Sequence, residues 1–348
     1  MYPLFFLFLV VSILKSSLGL ACTTVFLSSD VKKILGKSYD WNQSHGAVTV
    51  NKRSVSKTAF SIKASENPVS WTSKFGSVTF NQHGREFPLS GLNENGLAVE
   101  IMWLNEAQYP KQDERQSINE LQWIQYQLDN FSSVSEAVLA VEKIRISNIY
   151  ANVHYLMCDR LGDCATVEFL DHKTVVHTGD LLPYKVLTNN SYFSSLDFLK
   201  KHVGFGGVLP IPTSMNSLDR FVRAVSLGQK VSTDFSGVYE ILSSVKQGSY
   251  SVWNVAYDLT EAEISFRTNS KTSSREFNTR GFDYSCKSPV LTLDMDENLS
   301  GDITNRFVFY SAEKNASMIE KSLEGNPLAG LIKNKMMRYP ETTVCQER

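Results

Sequence analysis

The chain has 348 residues, of which 42% are hydrophobic and 20% are charged, the profile of a soluble globular protein with a sizeable core. Its 35 basic residues are balanced by 36 acidic residues, giving a formal net charge of -1. This balance lacks the electrostatic footprint of a protein that binds nucleic acid or an anionic membrane, so we expect a small molecule as the partner.

Residues 1–21 have the composition of an export signal. The run "PLFFLFLVVSIL" is continuously apolar but shorter than the roughly 20 residues that cross a bilayer, and small residues follow at Gly19 and Ala21. We therefore predict a signal peptide over 1–21, no stable membrane insertion, and export to the periplasm or the medium. An uncleaved anchor and a lipid-modified Cys22 remain as alternatives.

The mature chain begins with strand-like runs that alternate with Gly or Asn turns, and Asn95-Gly96 gives a strong hairpin signal. Two helices are predicted next, over 117–129 with a cap at Ser117 and over 133–145 with a cap at Ser133, and we expect them to form an antiparallel pair. Strands return across 150–188.

The second half also contains helices followed by strands. Helices are predicted at 216–229 and 235–246, and the runs "SVWNVAYDL" and "AEISFRTN" follow as strands before a loop-rich tail from about 270. No repeat or linker interrupts the chain, so residues 22–348 are predicted to form a single domain. Strands and helices that arrive in blocks favour layered α+β packing over a doubly wound parallel sheet.

Five cysteines in an exported chain suggest two disulfides and one free thiol. Cys158 and Cys164 flank the turn-like run "DRLGD" between two strand-like runs, so a bridge at the base of that hairpin is plausible. Cys286 would then pair with Cys345 and hold the tail. Cys22 is left over.

Cleavage after Ala21 would place a thiol and a free α-amine on Cys22. The reference pKa of an α-amine is about 7.7–8.0 and that of a cysteine thiol about 8.5, so the amine can take the thiol proton and later return it to a leaving amine. A structural or unpaired cysteine is the plain alternative. Six scattered histidines and no HExxH pattern argue against a metal site, and the absence of GxSxG argues against a serine hydrolase.

Four motifs in order resemble the choloylglycine hydrolase family, which includes conjugated bile salt hydrolases and penicillin V acylases and belongs to the N-terminal nucleophile hydrolases. They are "CTT" at 22–24, "GKSYDW" at 36–41, "LTNN" at 187–190 and "DRFVR" at 219–223. The resemblance runs from Cys22 to about residue 310. It implies a four-layer αββα sandwich, an amidase without metal or cofactor, and a homo-oligomer, commonly a tetramer.

The resemblance also implies catalytic roles. Cys22 would be the nucleophile and its amine the base, Asp40 would orient that amine, and Arg220 would hold a positive charge beside both. The side chain of Asn189 and the backbone N–H of Trp103 would form the oxyanion hole. Asn189 also begins an N-glycosylation sequon, which is a competing interpretation of that residue.

Two further positions bear on activity and specificity. Lys37 stands where the family usually has an arginine, and a lysine offers a point charge in place of a planar fork. Trp41 and Trp103 would contact the substrate, and this pair resembles the Gram-negative penicillin V acylases. Large apolar rings near the nucleophile favour an aromatic or fatty acyl group.

The sequence therefore predicts an exported cysteine amidase acting on a small N-acyl amide. The candidates are penicillin V, an N-acyl homoserine lactone and a conjugated bile salt, in that order. Two alternatives stay open: a lipid amidase of the N-acylethanolamine or ceramide type, and a non-catalytic lipoprotein or binding protein with this fold.

Overall fold

The computed structural model describes residues 22–347, so the predicted signal peptide lies outside the described residues. In chain order the strands of this range are β1 (Thr23–Ser28), β2 (Lys33–Asp40), β3 (Ala47–Asn51), β4 (Val55–Thr58), β5 (Ser70–Thr72), β6 (Ser77–Asn81), β7 (Pro88–Asn93), β8 (Ala98–Trp103), β9 (Ser117–Ile118), β10 (Arg145–Ile146), β11 (Val153–Cys158), β12 (Cys164–Leu170), β13 (Lys173–Thr178), β14 (Val186–Leu187), β15 (Ser251–Asp258), β16 (Glu263–Thr268), β17 (Arg275–Asn278), β18 (Leu291–Asp294), β19 (Gly301–Asp302), β20 (Val308–Phe309) and β21 (Val344–Cys345). The α-helices are α1 (Glu120–Asn130), α2 (Val134–Ala140), α3 (Tyr192–Leu199), α4 (Ser217–Gly228), α5 (Phe235–Ser244), α6 (Ala312–Ser322) and α7 (Ala329–Arg338).

Two large sheets form the centre of the described chain. The first has the strand order β14-β1-β2-β15-β16-β17-β19, and the second has the order β13-β12-β11-β8-β7-β6-β3-β18-β20. Pairing is antiparallel along most of both sheets, and the exception in the first is the parallel contact of β17 with β19. Nearly all residues of strands such as β2 and β8 are buried, because both faces of each sheet are covered.

Helices cover the outer faces of the two sheets. Helices α4 and α5 pack on β1, β2 and β15, whereas α1 packs on β7 and β8 and α2 lies against β12. Side chains from both inner faces meet between the sheets, as where the Phe80 ring contacts Tyr257 and Phe266 edge to face. The result is the αββα sandwich that the family resemblance implied.

Several local predictions are confirmed. The hairpin at Asn95-Gly96 joins β7 to β8, and Gly96 adopts the positive φ of 88° that its turn requires. Ser133 caps α2 through its side chain, which accepts the Glu136 N–H. The helices predicted at 216–229 and 235–246 correspond to α4 and α5.

Other local predictions are wrong. Ser117 lies in β9, where its N–H donates to the Asn67 carbonyl, and the cap of α1 is Asn119, whose side chain accepts two backbone N–H groups. Helix α2 ends at Ala140 rather than near 145. The two helices do not form a hairpin pair, since α1 packs on β7 and β8 and α2 on β12.

The tail beyond residue 270 is also more regular than predicted. It contains strands of both sheets and the two helices α6 and α7. Helix α6 buries only Asn315, Ile319 and Ser322, a stripe too sparse to give a clear helical period. Helix α3 was not predicted either.

Both expected disulfides are present, Cys158–Cys164 between β11 and β12 and Cys286–Cys345 across 59 residues. The second joins the tail to the body of the protein beside the short strand pair of β21 with β4. Cys22 is the free cysteine of the described residues and is buried. None of the helices within 22–347 has the length and apolar character needed to cross a membrane.

Candidate active site

The pairing of β1 with β2 positions the first site residues. Thr23 is opposite Ser38 in this antiparallel pair, which places Cys22 beside Tyr39 at the strand end. Because side chains alternate along a strand, Cys22 and Lys37 point into the space between the two sheets, whereas Asp40 points toward the helices on the outer face.

Cys22 lies in a protein environment that disfavours the bare thiolate. The residue is only 6% exposed, and burial raises the pKa of its thiol to about 11. The Lys37 ammonium opposes this rise, as do a hydrogen bond from the Asp40 backbone and the charge of Arg220. A thiol held in this form needs a base that removes its proton as it reacts.

Asp40 is fully buried and held by hydrogen bonds. Ser38 Oγ donates to one carboxylate oxygen at 2.7 Å, and Gln247 Nε2 donates to the other at 2.7 Å. Burial raises the pKa of Asp40, and a hydrogen bond from Ser251, these two donors and the Arg220 charge reduce that rise without cancelling it. Asp40 therefore presents a fixed acceptor beside the start of β1.

Arg220, from the first turn of α4, joins the two ends of the site. Its Nη1 donates to the Cys22 carbonyl at 2.8 Å and to Thr23 Oγ1 at 2.5 Å, and its Nη2 donates to Asn189 Oδ1 at 2.7 Å. Burial lowers the pKa of the guanidinium to about 10, so it stays charged at neutral pH. Only a planar fork reaches partners on both sides in this way.

The same contact fixes which way the Asn189 amide faces. With its oxygen on Arg220, the amide directs Nδ2 toward β8, where it donates to the Trp103 carbonyl at 2.8 Å. The second hydrogen of Nδ2 remains for another acceptor. Ser217 Oγ accepts the Asn189 N–H at 2.8 Å and so ties the loop to the start of α4.

The backbone of Trp103 faces the same side. Leu104 donates its N–H to the Asn152 carbonyl on the β11 side of β8, so the backbone groups of the preceding residue point away from β11. The pairing of β7 with β8 extends only to Glu100, opposite Ser90. The Trp103 N–H and the Asn189 amide thus lie on one side of β8.

A cavity of about 250 Å³ opens beside Cys22. Trp41 and Trp103 form its aromatic rim, with ring centroids 6.2 Å apart, and Tyr150 meets Trp103 edge to face. Apolar side chains from between the sheets and from the C-terminal helices continue its lining: Phe87, Leu89, Ile101, Leu323, Ile332 and Met336. The arrangement can hold an apolar group beside the Cys22 sulfur.

Sequence reasoning missed the partner of Lys37. The Lys37 ammonium forms a salt bridge with Glu100 at 3.0 Å and donates to the Ile101 carbonyl at 2.6 Å, and all of this is buried between the sheets. Burial raises the pKa of Glu100 to about 7, and the Lys37 charge works against that rise. No motif links these two residues, which lie far apart in the chain and on different sheets, but a glutamate in the apolar run "LAVEIMW" was the available signal.

A second buried pair lies behind Asn189 and was also missed. His154 Nδ1 lies 2.9 Å from Glu168 Oε1, and His154 Nε2 lies 2.8 Å from the Thr188 carbonyl. Glu168 Oε1 also accepts the Tyr192 N–H at 2.9 Å. The imidazole thereby fastens the loop that carries Asn189 to β11 and β12. In the sequence, the available signal for this contact was a polar residue inside each of two strand-like runs, His154 and Glu168.

The structure thus brings together Cys22, Lys37, Asp40, Trp41, Trp103, Asn189 and Arg220, the residues singled out in the sequence. Among residues 22–347, no group of three or more His, Cys, Asp or Glu side chains is placed to share a metal ion.

The sequence is similar to known proteins along most of the described chain. The sequence model of the linear amide C–N hydrolases, choloylglycine hydrolase family, matches residues 22–280. The chain is 31% identical over 237 residues to a penicillin V acylase from Pectobacterium atrosepticum, an alignment that spans 62% of each protein. It is 24% identical over 312 residues to a bile salt hydrolase/transferase from Lactiplantibacillus plantarum, covering 75% of this chain and 94% of that one.

Solved structures share the fold. Penicillin V acylase from Agrobacterium tumefaciens superimposes with a TM-score of 0.72 at 25% identity, covering 83% of this chain and 98% of that chain. A variant of conjugated bile acid hydrolase from Clostridium perfringens gives a TM-score of 0.67 at 19% identity, covering 80% and 99%.

The raised pKa of Glu100 predicts a pH dependence of stability. Its folded pKa of about 7 exceeds the ordinary 4.5, so the folded protein binds more protons between these values, and the free energy of unfolding falls as pH rises through that window. We expect Glu100→Gln to remove the contribution of Glu100 to this fall. That contribution changes the free energy of unfolding by at most about 1.4 kcal/mol per pH unit.

Urea unfolding at about pH 5 and about pH 7.5 measures the difference, with the exposed Glu114→Gln as the matched control. The control should follow the unmodified protein, whereas Glu100→Gln should lose less stability on going to the higher pH. Parallel behaviour of all three proteins would contradict the prediction.

Proposed function

This chain belongs to the choloylglycine hydrolase family of linear amide C–N hydrolases, and on that premise we propose that it is an exported cysteine amidase whose nucleophile is Cys22. The observation that carries the proposal is the Arg220 fork, which connects the backbone of Cys22 to the Asn189 amide through contacts of 2.8 and 2.7 Å. A nucleophile and an oxyanion donor are thereby held on one rigid group.

Export supplies the base in this proposal. Removal of residues 1–21 frees the α-amine of Cys22, whose reference pKa of about 7.7–8.0 suits proton transfer near neutral pH. The buried carboxylate of Asp40, at the end of β2 beside the start of β1, is the acceptor that orients this amine. Two disulfides in the described residues agree with an oxidising compartment such as the periplasm or the medium.

The proposed reaction has two halves. The Cys22 sulfur attacks the amide carbonyl carbon while the α-amine takes the thiol proton, and the tetrahedral intermediate collapses as that proton passes to the leaving amine. Water then attacks the thioester, with the same amine as base, and the acid leaves as the thiol is restored. Lys37 and Arg220 lower the cost of negative charge on sulfur, consistent with their opposition to the raised thiol pKa.

The oxyanion in this scheme is bound by Asn189 Nδ2 and the Trp103 N–H. Support comes from the position of both groups on one side of β8 and from the amide orientation that Arg220 imposes. His154 and Glu168 are positioning residues in this scheme, because they hold the loop behind Asn189.

The acyl group of the proposed substrate is apolar. Trp41 and Trp103 at the rim and aliphatic side chains inside the 250 Å³ cavity support this choice. Penicillin V and N-acyl homoserine lactones present such a group on a linear amide. The Trp41–Trp103 pair at the rim is the reason for ranking both above a conjugated bile salt.

Assembly into a homo-oligomer is proposed from family membership. Exposed apolar side chains at α3 give a surface of suitable character for a second copy of this chain, namely Leu181 and Phe193, which are 64% and 71% exposed and line one shallow depression.

The substrate ranking is tested with the processed protein by measuring release of the amine product. We expect penicillin V and an N-acyl homoserine lactone to be turned over faster than glycocholate, because the Trp41 and Trp103 rings at the rim favour an aromatic or fatty acyl group. Cys22→Ala should abolish all three activities. Faster turnover of glycocholate would contradict the ranking, and activity that survives in Cys22→Ala would contradict the proposed nucleophile.

The oxyanion role is tested by Asn189→Ala, with Asn190→Ala beside it as the matched control. Loss of one donor should lower kcat by about 10²–10³ with a much smaller change in KM, because the contact forms with the developing charge. Asn190→Ala should stay near the unmodified rate. A similar, small loss in both variants would contradict the assignment.

A further inference from the structure

The C-terminal segment lies outside the part of the chain that the family model matches, which ends at residue 280. Its helices α6 and α7 nevertheless reach the cavity beside Cys22. Leu323, Ile332 and Met336 line that cavity together with Phe87 from the body of the protein.

These side chains form a compact apolar cluster. Ile319, Leu323, Ile332 and Met336 are each no more than 4% exposed and pack with Phe60, Phe87 and Tyr339. The Phe87 ring meets Phe60 edge to face at 5.6 Å and Tyr339 at 5.3 Å. Phe87 therefore connects the wall of the cavity to the C-terminal helices.

The segment is fastened at several points. The Cys286–Cys345 disulfide and the pairing of Val344 with Ser56 hold its end, and the Tyr339 hydroxyl donates to the Thr58 carbonyl at 2.8 Å. Gln43, two residues after Trp41, donates its Nε2 hydrogen to the Lys321 carbonyl at 2.8 Å. The helices are thus a fixed wall of the cavity.

The part of the wall that Phe87, Leu323, Ile332 and Met336 form is apolar, and the Glu324 carboxylate in the same lining is exposed to solvent. Burial lowers the pKa of His83, which also lines the cavity, to about 4, so the ring is neutral at pH 7. The Glu120 carboxylate accepts the N–H groups of Ile149, Tyr150 and Ala151 at 2.8–2.9 Å. A polar acyl group would lose its hydration against these apolar side chains, and an aliphatic one would not.

We propose that the C-terminal helices close the far end of the acyl pocket and that Ile332 and Met336 set the length of an unbranched fatty acyl chain. This inference rests on the proposed amidase function and adds a substrate class to it. The flexible thioether of Met336 suits a wall that packs against a chain of methylenes.

The test measures kcat/KM of the processed protein with N-butanoyl, N-octanoyl and N-dodecanoyl homoserine lactones. Met336→Trp should shorten the pocket and lower kcat/KM for the dodecanoyl substrate by about tenfold or more, since one methylene in an apolar pocket changes kcat/KM by about 10–200-fold. The butanoyl substrate should keep its rate. Met336→Ala should shift the preference toward the longer chains.

Leu331→Trp is the matched control, because Leu331 lies on the same helix but is 55% exposed and does not line the cavity. Its chain-length profile should equal that of the unmodified protein. An unchanged profile in both Met336 variants, or an equal loss for all chain lengths, overturns the inference while leaving the amidase proposal intact. Absence of activity on every N-acyl amide in the unmodified protein refutes both.

Discussion

The site depends on one buried guanidinium. Arg220 is fully buried, yet its fork donates to the Cys22 carbonyl, the Thr23 hydroxyl, the Met215 carbonyl and the Asn189 side chain. An unpaired charge in this position would cost several kcal/mol, so the four contacts and the nearby Asp40 carboxylate must all be in place when the chain folds. The first strand, the 187–190 loop and the start of α4 are therefore positioned together.

A second buried charge, that of Lys37, lies between the two sheets and is also paired. Glu100 and the Ile101 carbonyl offset the cost of burying the Lys37 charge there, and the pair links β2 of one sheet to β8 of the other. The strand that carries Glu100 ends at Trp103, so the ion pair also determines where the rim of the cavity lies. The sequence analysis treated Lys37 as a replacement for the usual arginine that lacks its planar fork. In the structure, Lys37 forms a buried salt bridge with Glu100. This leaves the lysine an electrostatic role toward the Cys22 sulfur, since its charge opposes the rise in the thiol pKa.

The features predicted correctly from the sequence are those that depend on short stretches of the chain. Strand periodicity, the Asn95-Gly96 turn, the cap at Ser133 and the Cys158–Cys164 spacing all act over a few residues, and the family resemblance implied the layer order and the candidate site residues. Long-range contacts escaped prediction. Ser117 joined a strand because of its pairing partner, and Glu100, His154 and Glu168 have meaning only through residues far along the chain. The C-terminal helices were missed because each buries too few apolar side chains to give a clear period.

The central claim is that Cys22 becomes the first residue and carries the acyl group. Intact mass and N-terminal peptide mapping of the exported protein, quenched in acid during turnover of an N-acyl amide, test it most directly. The account predicts a chain that begins at Cys22 and gains the mass of one acyl group on that residue as a thioester. An active chain that retains residues before Cys22, or an acyl group bound to another residue, would contradict it.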